Sequence, residues 1–164
     1  MDTTTQKQIT TWLISACALI FIMVIIGGIT RLTRSGLSIV EWHPISGIIP
    51  PMTDRAWITE FEKYQNFPEY KKLNTGMTLP QFKFIFFWEY IHRLIGRLLG
   101  LFFIIPFAYF LIKKKLNPPL IKKLLNMFLL GCLQGLYGWY MVKSGLIDNP
   151  HVSHYRLAGH LVLA

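Results

Sequence analysis

Residues 11–29 carry no charged side chain, and this one stretch limits what the chain can fold into more than any other feature. About 20 apolar residues in a helix cross the roughly 30 Å hydrocarbon core of a bilayer. The only basic residue before the run is Lys7. The run is too long for a signal-peptide core, and Gly27-Gly28-Ile29-Thr30 offers no small-x-small cleavage pattern, so it reads as an uncleaved anchor. A soluble domain would have to bury this helix, but only 15% of the residues are charged, against about a quarter in soluble domains. A 52% hydrophobic content excludes disorder. The two cysteines, Cys17 and Cys132, both lie in apolar runs and exclude a disulfide scaffold. The formal charge of +9 comes from basic residues that flank apolar runs rather than forming one stripe. The partner this predicts is a lipid bilayer, not nucleic acid.

A second run covers residues 84–112 and contains Glu89, His92, Arg93 and Arg97. Thr78 and Gln81 have the spacing of a capping box, with Pro80 tolerated in the first turn, so the helix is expected to begin near Leu79, outside the lipid. Counting about 20 residues back from Ile112 sets the outer boundary near Arg93 and His92. A third run covers residues 124–142 and ends in the interface pair Trp139-Tyr140. A fourth begins at about Tyr155 and stops at Ala164, too short to span, so the chain is expected to be part of something longer. The expected fold is an all-α polytopic membrane bundle with three full spans and the start of a fourth. The loop at 113–123 holds five lysines and no acid, whereas the loop at 31–83 holds seven basic and five acidic residues. The lysine-rich loop is therefore predicted to stay inside, which places the N-terminus in the cytoplasm of a bacterium, the chain in its plasma membrane and the long loop outside. In that loop Trp57, Phe61 and Tyr64 fall at i, i+4 and i+7, one face of a short helix that either lies on the membrane as a lid or packs on its neighbours.

Glu89 and His92, three apart, project from one helical face. His92, Gly96 and Gly100 recur every fourth residue. A histidine above a glycine stripe suits a flat tetrapyrrole, but the same glycines are a close-packing motif. Arg93 and Arg97 near the outer boundary would pair with haem propionates or snorkel to headgroups. His160, four residues after Arg156, sits about as far into its run as His92, and two histidines at equal depth could hold one iron. A zinc site from His151, His154 and His160 lacks nearby acids and cysteines. Gly131, Gly135 and Gly138 form a small-residue face beside Gln134 that reads best as packing. Glu41, Arg31 and Arg34 either order the long loop or are solvated charges.

These segments resemble the haem A synthase family, in its proteobacterial and mitochondrial-type branch. The carriers are the stretch Gly27-Gly28-Ile29-Thr30-Arg31-Leu32-Thr33-Arg34-Ser35-Gly36-Leu37-Ser38 with Glu41, Trp42 and Pro44, then Glu89-Tyr90-Ile91-His92-Arg93 with Gly96-Arg97, then Gln134-Gly135-Leu136-Tyr137-Gly138-Trp139-Tyr140, and Tyr155-Arg156-Leu157-Ala158-Gly159-His160. The match is collinear and covers the N-terminal half of the family only. The resemblance implies an eight-span, pseudo-symmetric fold with a histidine pair in each half. It implies oxidation of the C8 methyl of haem O to a formyl group by successive hydroxylations, giving haem A, with haem b in the other half passing electrons. Carried over, His92 and His160 would be the axial pair of the substrate-haem half. Glu89 would be the catalytic acidic residue at the haem edge, with Arg93 and Arg97 binding the cofactor. Implied partners are haem O, haem O synthase and the C-terminal half. The cysteine pair that one bacterial branch carries in the outer loop is missing here. The competing expectation is a non-enzymatic bis-histidine cytochrome that holds haem b and only passes electrons.

Overall fold

A computed structural model describes residues 2–41, 46–147, 150 and 152–164. Trp42, Pro44 and His151 lie outside the described residues. Six helices account for most of the chain: α1 (Thr3–Leu32), α2 (Asp54–Gln65), α3 (Pro68–Leu73), α4 (Leu79–Ile112), α5 (Pro118–Gly145) and α6 (His154–Leu163), with a 3-10 turn at Ser46–Ile48. Among the described residues there is no strand, and the expected all-α class holds. At 1.5 Å per residue, α1 and α4 are about 45 and 50 Å long. Both are long and apolar enough to cross a membrane, and both turn large apolar side chains outward, such as Phe21 and Ile105. Gly145, at the end of α5, seats against the Leu37 side chain just beyond α1.

Local signals explain where the helices start. Asp2 caps α1 by accepting from the Thr5 backbone N–H, and Asn117 caps α5 by accepting from Leu120. The capping box of α4 forms as expected: Gln81 Oε1 accepts from the Thr78 N–H at 2.8 Å and from its hydroxyl at 3.0 Å. Helices α1 and α4 end alike. The Ser35 N–H donates to Thr30 O and the Lys115 N–H donates to Phe110 O, with Arg34 and Lys114 left-handed at φ 54° and 52°.

Helix α1 packs antiparallel along α4. Pro106 lies inside α4, where its missing N–H orphans the carbonyl four residues back. That carbonyl belongs to Phe102, and the Trp12 indole N–H of α1 donates to it at 3.0 Å. The Trp12 ring, buried with Ile9, Phe107, Phe110 and Leu124, forms the core at this end. Trp12→Phe keeps the apolar bulk but removes the donor. It should lower stability by about 1–3 kcal/mol, read as thermal unfolding in detergent, while Pro106→Ala in the same background should recover much of that loss.

The segment between α1 and α4 builds a cap layer on the Leu79 end of α4. The face Trp57–Phe61–Tyr64 is helical as expected, and it packs on α4 rather than on lipid. Phe61 and Tyr64 lie 5.0 and 5.2 Å from Phe82, and Trp57 lies 5.0 Å from Phe86, ring centre to ring centre. Glu41 orders the loop by accepting from Lys63 Nζ at 2.8 Å. Buried beneath them, Glu69 accepts from the Tyr64 hydroxyl at 3.0 Å, and Tyr64 accepts from Asn74 Nδ2 at 2.7 Å. Burial raises the Glu69 carboxyl from 4.5 to about 7; the Tyr64 hydrogen bond opposes this and the Glu89 charge adds to it. Because the folded value exceeds the unfolded one, this contribution is complete below about pH 4.5 and is lost as pH rises through about 7. Protease resistance of the cap should therefore fall across that window, by on the order of 3 kcal/mol, and Glu69→Gln should flatten the profile.

Candidate functional site

The antiparallel register of α1 and α4 is set by small residues. Thr30 faces Trp88, Gly27 faces His92, and Met23 faces Gly96. A Cβ on Gly27 would lie 3.5 Å from His92 Nε2, so the imidazole rests on bare backbone of α1. Gly96 serves packing, with the Met23 methyl 3.3 Å from where its Cβ would be, while Gly100 has open space beside it. The stripe below His92 thus meets α1 at Gly96 and is exposed at Gly100.

Helix α6 presents His160 to α5 in the same way. A Cβ on Gly138 would lie 2.9 Å from His160 Cε1. Tyr137 lies nearly parallel to the imidazole, at 14° and 6.4 Å between centroids. Gly159 admits the Tyr137 hydroxyl, which would sit 2.5 Å from a Cβ there. Gln134 Nε2 donates to the His160 carbonyl at 2.9 Å and lies 3.4 Å from its Nε2. The Arg156 guanidinium caps the Tyr140 ring at 4.9 Å. These contacts fix α6 against α5 and turn His160 inward. Among the described residues, His160 Nδ1 and Gln134 Oε1 are buried without a hydrogen-bond partner.

His92 and His160 are 68 positions apart in sequence, on α4 and α6, and each ring rests on a glycine of the neighbouring helix. Neither ring faces open lipid; both are half-buried. Two imidazoles, each seated on a glycine, with an unpartnered ring nitrogen on one, form a donor set that fits an iron tetrapyrrole. No group of three metal-ligating side chains occurs among the described residues, and the zinc alternative includes His151, which lies outside them.

Glu89 and Arg93 form a second constellation on the neighbouring face. Glu89 is 2% exposed. Its Oε2 accepts from the Ser38 N–H at 2.7 Å, the Ser38 hydroxyl at 2.7 Å and the Ile39 N–H at 2.9 Å. Its Oε1 accepts from Arg93 Nη2 at 2.5 Å, and that nitrogen also donates to Ile39 O at 3.1 Å. The carboxylate thus clamps the loop after α1 onto α4, one turn from His92. Arg97 lies one turn deeper and lines a cleft of about 310 Å³ with Arg93, Tyr90, Ile39 and residues 49–52. Sequence reasoning singled out His92, His160, Glu89, Arg93 and Arg97 as candidates. It missed Gly27 and Gly138 as ring seats and Ser38–Ile39 as the Glu89 partner. The only signal for the seats was glycine at 27 and 138 within apolar runs.

The seats make a testable contrast. Gly27→Ala meets His92 at ordinary van der Waals distance and should be tolerated. Gly138→Ala forces the His160 ring to move and should weaken haem retention about tenfold, read from the absorption spectrum of the purified full-length protein.

A helical membrane protein with a histidine of α4 seated on α1 and a histidine of α6 seated on α5, beside a clamped cap, is the class this fold and site define. The chain belongs to the family described as Cytochrome oxidase assembly protein, whose family model matches residues 10–164. It is 62% identical to a protein of Nitrosospira multiformis over 97% of this chain and 45% of the relative. It is 56% identical to one of Flavobacterium psychrophilum, over 97% and 48%, and 53% identical to one of Rickettsia bellii, over 97% and 47%. All three relatives are named Heme A synthase. The chain spans about half the length of these curated relatives. No solved structure matches it.

Proposed function

We propose that this chain is the N-terminal four-helix half of a haem A synthase, with α5 as a third span, α6 as the start of a fourth and the cap layer outside a bacterial plasma membrane. The N-terminus and the lysine-rich 113–123 loop lie in the cytoplasm. Its place in haem A biosynthesis is to hold haem O while the C8 methyl is oxidised to a formyl group. The observation that carries this reading is the pair of inward histidines, His92 on α4 and His160 on α6, each on a glycine seat. The names of the half-matched relatives agree with it.

In this reading His92 and His160 would hold the iron of the substrate haem through their ring nitrogens. The other half would hold haem b, whose chemistry is electron transfer. Of the two roles considered for Glu89, positioning or protonating the haem edge, its hydrogen bonds favour positioning: both oxygens already accept from Ser38, Ile39 and Arg93. Arg93 holds the same clamp, and both it and Arg97, one turn deeper, line the cleft where a propionate would be bound. The partners are haem O, the enzyme that makes haem O, the C-terminal half and the bilayer.

Pigment extraction from the full-length protein tests the reading. Haem O or haem A in the extract supports the synthase. Haem b alone supports a cytochrome that only passes electrons, and overturns it.

A further inference from the structure

We infer that residues 47–52 of the cap insert into the leaflet on the cap side, so that the cap is anchored in lipid as well as clamped to α4. The segment Gly47-Ile48-Ile49-Pro50-Pro51-Met52 carries no charge. Ile48, Ile49 and Met52 are 44%, 72% and 77% exposed, and Ile49 and Met52 exceed the other exposed apolar side chains of the cap, Ile58 at 48% and Leu73 at 43%. Its depth follows from α4. About 20 residues back from Ile112 puts the hydrocarbon boundary near Arg93, and Tyr90 lies three residues further out, about 4.5 Å. That is inside the headgroup layer, roughly 5–7 Å thick on each side. The Tyr90 hydroxyl donates to Ile48 O at 2.8 Å and ties the loop to that level. Ile49, Pro50, Pro51 and Met52 then share a cleft wall with Arg97, which sits one turn deeper than Arg93.

The backbone is suited to the same place. An unsatisfied N–H or C=O is costly in lipid. Pro50 and Pro51 have no N–H to desolvate, and the Ile48 carbonyl is already satisfied by Tyr90. Apolar side chains on such a loop bury their area in the headgroup and upper acyl region, typically about 5–10 Å deep. The occupant of this patch is therefore phospholipid.

The test uses the full-length protein in liposomes, with Cys17→Ser and Cys132→Ser so that single nitroxide labels can be placed. Labels at Ile49→Cys and Met52→Cys should collide several-fold more with oxygen than with a water-soluble nickel complex. Ile105→Cys on the lipid face of α4 sets the lipid reference, and Glu62→Cys on the exposed side of α2 the aqueous one. As a smaller perturbation, Met52→Trp should add emission that brominated lipid quenches and aqueous iodide does not. Nickel accessibility at 49 and 52 equal to that at 62 would overturn the anchor. So would shielding from both reagents, which would mean that a protein partner covers the loop.

Discussion

Glu89→Ala should detach the cap from α4 and cost about 3–5 kcal/mol, the usual loss when one partner of a buried ion pair is removed. The carboxylate is the acceptor for three donors of the 38–39 loop and for Arg93, and it is 2% exposed. Without it, the Ser38 and Ile39 N–H groups lose their acceptor in a buried site, and each unsatisfied donor costs about 1–3 kcal/mol. The Arg93 guanidinium loses its counter-charge and keeps only the Ile39 carbonyl. Glu89→Gln should be milder. It retains an acceptor oxygen for the loop but turns an amide donor toward the remaining donors. Limited trypsin digestion reads the effect directly, because Lys63, Lys71 and Lys72 lie in the cap. The variant should be cut there while α1 and α4 stay intact. If Glu89→Ala melts and digests like the parent protein, the clamp does not hold the cap, and the positioning role proposed for Glu89 falls with it.

The clamp also marks where sequence reading stops. The α4 start was legible because Thr78, Pro80 and Gln81 act on each other within one turn. The α2 face was legible because Trp57, Phe61 and Tyr64 repeat at helical spacing. Whether that face met lipid or protein was not, since the deciding aromatics, Phe82 and Phe86, belong to another helix. Glu89 and Ser38 are 51 residues apart, and no local rule pairs a carboxylate with backbone N–H groups at that distance. The same holds for Trp12, whose indole answers a carbonyl that Pro106 orphans 90 positions away from it. Histidines announce themselves by chemistry, so His92 and His160 stood out as candidates. Their seats at Gly27 and Gly138 did not, because a glycine in an apolar run signals only that something comes close, not what.

His92→Ala should abolish haem O conversion and remove the haem absorbance of this half, while the protein still inserts and keeps its cap. The loss should exceed the roughly 10–100-fold typical of removing a ligand's supporting partner. Insertion should survive because the α1–α4 register rests on other contacts: Trp12 on Phe102, Met23 on Gly96 and Thr30 on Trp88. Alanine at 92 only opens space against Gly27. His160→Ala should have the same spectral outcome, with Gln134 still bonded to the backbone carbonyl at 160 and so still fixing α6. His154→Ala is the internal control, because that side chain is exposed at the start of α6. Equal loss from 92 and 160 with no loss from 154 means that both imidazoles act on one group. Loss from only one of the pair would make the other a packing histidine and would remove the shared-iron geometry on which the proposed function rests.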